Sequence, residues 1–272
     1  MRLLAPGIAE VTTRHDLDDA LVELRTRRGV AAVVARSGPV GEPDVPTPEH
    51  WRAAPALPEH DAHLRAVTAG LGTPTCWATL QDGRLVQDVL PIRGQEDQQT
   101  GHGSRDELTF HVEDSFSDDR CDVLALLCLR NPDRVPTTVA TVGSLDPAGL
   151  DVAALAGPHF HIRPDPEHLR ADPGLTARTR PVLEDGPRLR TDPAFTEADP
   201  GRPAAALAEL HDQLARALTP IALTPGDVLL IDNRRAVHGR APFTPRYRGA
   251  DRWLRKLTTT YAPASGPVVR TP

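Results

Sequence analysis

His111 and Glu113 stand two residues apart, with Val112 between them. In extended backbone, side chains at i and i+2 point to the same face. An imidazole and a carboxylate on one face could occupy two positions on a single metal ion. An H-x-E triplet by itself equally describes a solvated strand face or a salt-linked pair. Of the 11 histidines, only His111 has an acid two positions on.

A third candidate ligand lies further along. His238 sits in Asp232-Asn233-Arg234-Arg235-Ala236-Val237-His238-Gly239-Arg240, after an apolar run and a short turn. Arg252 follows at the start of the last apolar stretch. Two histidines and one carboxylate form a facial set that leaves three positions on Fe(II) open. A 2-oxo acid can chelate two of these and O2 can take the third. The far carboxylate of such an acid needs a planar bidentate partner, which an arginine such as Arg252 offers. Two competing readings use the same residues. Two His and a Glu also suit Zn2+ and hydrolysis, but no general base stands out and Arg252 is left unexplained. A non-catalytic protein that binds a small carboxylate or a partner would not need the triad.

The elements that must position these residues are short. Val30 to Ala35, Thr75 to Leu80, Leu85 to Ile92, Leu108 to Glu113, Cys121 to Leu129, Thr137 to Val142, Asp227 to Asp232, Ala236 to His238 and Trp253 to Tyr261 are expected as strands. Gln81-Asp82-Gly83-Arg84 carries an Asp-Gly turn signal and predicts a hairpin. Helices are expected over 15–28, with Leu17, Leu21 and Leu24 at helical spacing, and over 204–218, with a stripe of Leu207, Leu210, Leu214 and Leu218. Helical pieces are also expected within 49–71 and 146–155, and loops over 37–48 and 93–105. The segment 157–201 is Pro-rich and without periodicity, which predicts an irregular lid or insert. The expected architecture is one α+β domain over 1–272, with a mainly β core as a sandwich or barrel and helices outside.

Composition sets the class. Hydrophobic residues make up 39% and charged residues 25%, as in a soluble globular chain, and the net charge is -6 with no basic tract, which argues against nucleic acid and anionic membranes. No apolar run reaches the length of a membrane span. Met1 to Glu10 lacks an apolar core and a cleavage pattern, so no signal peptide is expected. Cys76, Cys121 and Cys128 are odd in number and far apart, which suggests reduced thiols in the cytoplasm.

Several stretches together resemble the clavaminate-synthase-like branch of the Fe(II)/2-oxoglutarate dioxygenases, among them bacterial arginine and asparagine β-hydroxylases of peptide-antibiotic pathways. They are Leu90-Pro91-Ile92-Arg93-Gly94, Leu108 to Phe116, Cys128-Leu129-Arg130-Asn131-Pro132-Asp133, Pro225-Gly226-Asp227, Ile231 to Arg240, and Asp251-Arg252-Trp253-Leu254. The resemblance spans roughly residues 75–261. It implies a double-stranded β-helix, or jelly roll, with flanking helices. It implies an enzyme that uses Fe(II), 2-oxoglutarate and O2 to hydroxylate a small molecule, a free or carrier-bound amino acid. Desaturation or cyclisation of another carboxylate uses the same motifs. It assigns His111, Glu113 and His238 to iron and Arg252 to 2-oxoglutarate, with a threonine after the Arg-Asn-Pro-Asp turn, Thr138 or alternatively Thr137. Leu189-Arg190-Thr191-Asp192 resembles a segment whose Asp reads the substrate side chain, which assigns Asp192 to substrate. Arg190 stands where the arginine hydroxylases have a second Asp. Lys256 stands where the family has an arginine for the substrate carboxylate. Gln81 and Glu113 are further candidate substrate contacts. Gly101-His102-Gly103-Ser104 is expected as a rim loop. His159 and His161 share the i, i+2 spacing without a nearby acid in sequence.

Overall fold

A computed structural model describes residues 1–36, 38–185, 188–262, 264 and 266–272. Ser37, in the expected 37–48 loop, and Gly186 and Pro187, in the 157–201 segment, lie outside the described residues. The first part of the chain forms β1 (Arg2–Ala5), β2 (Ile8–Val11), α1 (Arg14–Thr26), β3 (Ala32–Ala35), α2 (Pro58–Thr68), β4 (Thr73–Trp77), β5 (Val86–Val89), β6 (Leu108–His111), β7 (Val123–Arg130) and β8 (Thr137–Thr141). The remainder forms α3 (Val152–Leu155), β9 (Phe160–Ile162), α4 (Pro166–Ala171), β10 (Arg178–Arg180), β11 (Leu183–Glu184), β12 (Arg188–Leu189), β13 (Thr196–Ala198), α5 (Arg202–Ala217), β14 (Thr219–Ile221), β15 (Val228–Asp232), β16 (Ala236–Arg240), β17 (Trp253–Thr260) and β18 (Val268–Arg270).

Two sheets make the core. The larger runs β1-β2-β3-β15-β7-β17-β4-β18, with β5 also paired to β17. The smaller runs β14-β8-β16-β6. Period-two alternation sorts the side chains. In β7, Val123, Ala125, Leu127 and Leu129 pack under α1 and α2, while Leu124, Leu126 and Cys128 face the smaller sheet. β15 divides likewise, with Val228 and Leu230 outward and Leu229 and Ile231 inward. On the far side of the smaller sheet, Phe110, Ala140 and Val237 pack against α5 and the 157–201 segment. The β core with flanking helices is as expected. The stripe of α5, with Leu207, Leu210 and Leu214 buried, is too, but the helix ends at Ala217, one residue short of Leu218.

Three expectations fail. β4 and β5 do not form a hairpin. Both add to β17, with Thr75 opposite Thr258 and Val86 opposite Leu257, and a short 3-10 turn at Gln81–Gly83 joins them. Propensity marks a turn, but both strands pair with the longer β17. The 157–201 segment is not irregular: it holds α4 and two small sheets, β10-β9-β13 and β11-β12. Its strands are two or three residues long, below any periodicity that a sequence can display. Finally, the strand expected to reach Glu113 ends at His111. Among the described residues, no helix is long and apolar enough to cross a membrane.

Candidate metal and co-substrate site

A cavity opens between the sheets. Part of its polar lining comes from strands whose alternate residues face inward, and part from the loops and α4 around them. His111 (β6) and His238 (β16) are direct partners across an antiparallel pair, with ring centroids 4.4 Å apart. His111 Nδ1 donates to the Thr109 carbonyl at 2.9 Å, which leaves Nε2 free for the cavity. Glu113 lies beyond the strand end. Its peptide is held by Asn233, which accepts from the Glu113 N–H at 2.8 Å and donates to the Glu113 carbonyl at 3.0 Å. Asp114 follows with φ +53, so the chain turns away at once. Glu113 Oε2 then stands 3.7 Å from His111 Nε2 and 3.6 Å from His238 Nε2. The three ligand atoms lie within 4.8 Å of one another.

The electrostatics suit a cation at their centre. Burial and then the neighbouring His111 push His238 down to about 3, so it offers a neutral lone pair. Burial also opposes charge on His111, but Glu113 and Asp192 outweigh it and draw His111 up to about 9. Burial would raise the Glu113 carboxyl, but Lys256 and His111 hold it well below the usual range. Two neutralisable imidazoles and a firmly ionised carboxylate on one face are the donor set of an octahedral Fe(II) site with open positions.

Arg252, immediately before β17, and Leu254 and Lys256 within it all line the cavity. Arg252 is buried and donates from Nη2 to Thr137 Oγ1 at 3.0 Å, while its Nε is buried without a partner. Burial lowers its pKa to about 10. No carboxylate of the described residues acts on it. A buried guanidinium without a counter-charge is costly and fits an anionic ligand. Thr138 is not beside it: alternation turns Thr138 to the side of Ala140, which packs toward α5, and Thr137 takes the inner face. The choice between the two threonines depended on strand phase, which β8 fixes by pairing Arg240 with Thr137.

The substrate candidates divide. Asp192 lines the cavity, and burial pushes its carboxyl up to about 6. Lys256 lines it too, but its Nζ is 2.5 Å from Glu113 Oε1. Glu113 Oε2 faces the histidines and Oε1 accepts from Lys256, so any substrate amino group that met Glu113 would share Oε1 with Lys256. Gln81 does not line the cavity. Its side-chain amide is spent on the Asp88 peptide, donating to the carbonyl at 2.8 Å and accepting from the N–H at 2.9 Å. Arg190 faces away, bonded to Glu184, Asp118 and the carbonyls of Ser115 and Ser117. His159 and His161 share one acid that sequence distance had hidden, Asp199, at 3.2 and 2.9 Å.

Residues not singled out in the sequence complete the site. Asp165 and Glu167 line the cavity from the start of α4, and burial raises both carboxyls. His168 Nε2 meets Asp114 Oδ1 at 3.0 Å, and Trp77 Nε1 donates to Asp114 Oδ2 at 2.7 Å, which ties α4 to the residue after Glu113. Asp165, His168 and Asp114 form a second cluster of potential ligand atoms, but backbone N–H groups, Trp77 and Thr79 already occupy them.

Comparisons with known proteins follow the same lines. The family profile "Taurine catabolism dioxygenase TauD, TfdA family" matches residues 158–258, the part that carries His238 and Arg252. The chain is 38% identical to L-ornithine/L-arginine 3-hydroxylase of Catenulispora acidiphila, over 79% of this chain and 72% of that protein. It is 38% identical to L-asparagine oxygenase of Streptomyces coelicolor, over 83% and 69%. Against enduracididine beta-hydroxylase of Streptomyces hygroscopicus it is 35% identical and spans 63% of that protein's length. The crystal structure of the non-heme iron oxygenase OrfP with Fe and alpha-ketoglutaric acid superposes with a TM-score of 0.81, at 38% identity, covering 92% of this chain and 81% of that one.

Proposed function

This chain belongs to the TauD/TfdA-type Fe(II)/2-oxoglutarate-dependent oxygenases, and we propose that it hydroxylates an unactivated C–H bond of a free or carrier-bound amino acid in a specialised biosynthetic pathway. The observation that carries this reading is the pairing, in one cavity, of the His111–Glu113–His238 face with the buried, uncompensated Arg252. The two facing sheets are read as a double-stranded β-helix, with 157–201 as its lid. Three buried, unbridged cysteines agree with a reducing compartment, the cytoplasm.

His111 Nε2, His238 Nε2 and Glu113 Oε2 would hold Fe(II). Arg252, steadied by Thr137, would take the far carboxylate of 2-oxoglutarate. When bound, Fe(II), 2-oxoglutarate and O2 supply the oxidation and release succinate and CO2. The chain's own work is to bind, orient and exclude water. Arg252 and Lys256 are four residues apart on one strand face, about 13 Å, with the triad's Glu113 held at the Lys256 end. The co-substrate therefore docks toward Arg252 and the substrate toward Lys256. One N–H of Lys256 serves Glu113, and two remain for a substrate carboxylate. Asp192, Asp165 and Glu167 face the substrate space, and among the described residues none of them has a salt bridge to Arg or Lys, which supports a substrate bearing a distal ammonium, guanidinium or other donor.

The test is anaerobic addition of Fe(II), 2-oxoglutarate and a panel of amino acids, followed by air and a succinate assay. Succinate formation that depends on a basic amino acid is the expected result. No succinate above background with any member, in protein that retains iron, would overturn the amino-acid reading.

A further inference from the structure

We propose that Arg240 is a second positioning residue for the far carboxylate of 2-oxoglutarate and forms, with Arg252 and Thr137, a two-arginine seat. This rests on the reading of the cavity as a 2-oxoglutarate site. Alternation along β16 sends Ala236, His238 and Arg240 to the same inner face. Arg240 is the direct cross-strand partner of Thr137, whose hydroxyl accepts from Arg252. Arg240, Thr137 and Arg252 all line the cavity.

Arg240 is 3% exposed and Arg252 6%. Arg240 Nη1 donates to the Ser104 carbonyl at 2.9 Å and Nη2 to the Asp106 carbonyl at 3.0 Å, and its guanidinium carbon stands 5.1 Å over the Phe243 ring. These contacts fix the group in space through neutral acceptors and a ring face. Its Nε is buried without a partner, like the Nε of Arg252. The acids nearest its charge, Asp106 and Glu107, are exposed loop residues. Two like charges held together away from water are destabilising unless an anion joins them. The position selects the anion. His238 and Arg240 are two residues apart on one strand face, about 7 Å. That matches the reach from the chelating head to the far carboxylate of a five-carbon dicarboxylic acid.

The register shift between His238 and Arg240 belongs to this device. Gly239 sits within it, and a Cβ there would lie 2.5 Å from the Leu108 carbonyl oxygen. Close approach of β6 at this point allows one strand to carry both an iron ligand and a co-substrate donor.

Anaerobic titration of the Fe(II)-loaded protein with 2-oxo acids, read by the charge-transfer absorption of the chelate, tests the proposal. The two probes are 2-oxoglutarate and 2-oxobutanoate, which keeps the chelating head and lacks the far carboxylate. Arg240→Met is expected to raise the Kd for 2-oxoglutarate by about tenfold or more while changing that for 2-oxobutanoate by less than about twofold. Arg240→Lys, which keeps charge and stem, should give a smaller but equally selective loss, and it carries the comparison if the methionine variant does not fold. Equal weakening of both acids would mean that Arg240 acts only by pinning the 104–106 loop. Unchanged binding of both would mean that it makes no contact. Either result overturns the proposal. A wild-type protein that gives no absorption with either acid overturns the reading of the whole site.

Discussion

At the scale of single residues, the site works through pairs whose partners come from distant parts of the chain. His238 is kept neutral by burial and by His111, so replacing either histidine removes a ligand with no substitute nearby. His111→Ala and His238→Ala are each expected to abolish Fe(II) retention, measured as metal content after desalting, together with turnover. Full activity in either variant would remove that histidine from the triad. Arg252→Ala should weaken 2-oxoglutarate binding by about 2–5 kcal/mol, the usual cost of truncating one partner of a buried charge pair. Asp192 is protonated in part near neutrality because burial lifts it to about 6. A cationic substrate binds the ionised form, so its Kd should fall as pH rises through about 6 and level off above. Asp192 faces His111, Asp165 and Glu113, so the same pH series on Asp192→Asn separates its contribution: the slope should flatten there. A slope that persists in the variant assigns the titration elsewhere.

At the scale of elements, strand phase does most of the positioning. β16 presents His238 and Arg240 from one face because alternate residues share it, and Lys256 lies in β17 with Arg252 just before that strand. Glu113, beyond the end of β6, needs another support, and Asn233 supplies it from the β15–β16 turn. That side chain is fully buried and binds the N–H and carbonyl of Glu113 and the Cys121 carbonyl. Asn233→Ala should cost about 1–3 kcal/mol of stability through unsatisfied buried groups, read in denaturant melts, and should weaken Fe(II) binding with it. A stable variant with unchanged iron affinity would mean that the turn is held by other means. The sequence carried the signals for β16 and β17 as apolar runs beside charged residues, and the period of two from His238 would also have put Arg240 inside. It could not order α4, whose six residues are positioned by the His168–Asp114 contact and not by their own propensity. The same limit explains Gln81. Its turn was legible, but only tertiary packing directs its amide to the Asp88 peptide.

At the scale of the whole molecule, the two sheets separate around a cavity into which several buried charged side chains point. Ligand binding should therefore stabilise the fold as a unit. Fe(II) with 2-oxoglutarate at a hundredfold excess over Kd is expected to add about 2.7 kcal/mol, seen as a rise in anaerobic melting temperature that a chelator reverses. No shift on loading would contradict a site built into the core. The chain's linear order was enough to propose the triad and the arginine clamp and to expect the mainly β core that the structure has, because ligand types and apolar runs are local properties. Tertiary structure alone decided which threonine meets Arg252, that Lys256 grips Glu113, that Arg190 turns away, and that α4 brings Asp165 and Glu167 to the substrate side. Each of these depends on strand phase or on contacts between segments tens of residues apart, and neither is written in local spacing. The opening His-x-Glu pair acquires its meaning in the same way. Its two residues are neighbours by sequence, but they meet His238 on one face because β16 lies against β6 and Asn233 holds the Glu113 peptide.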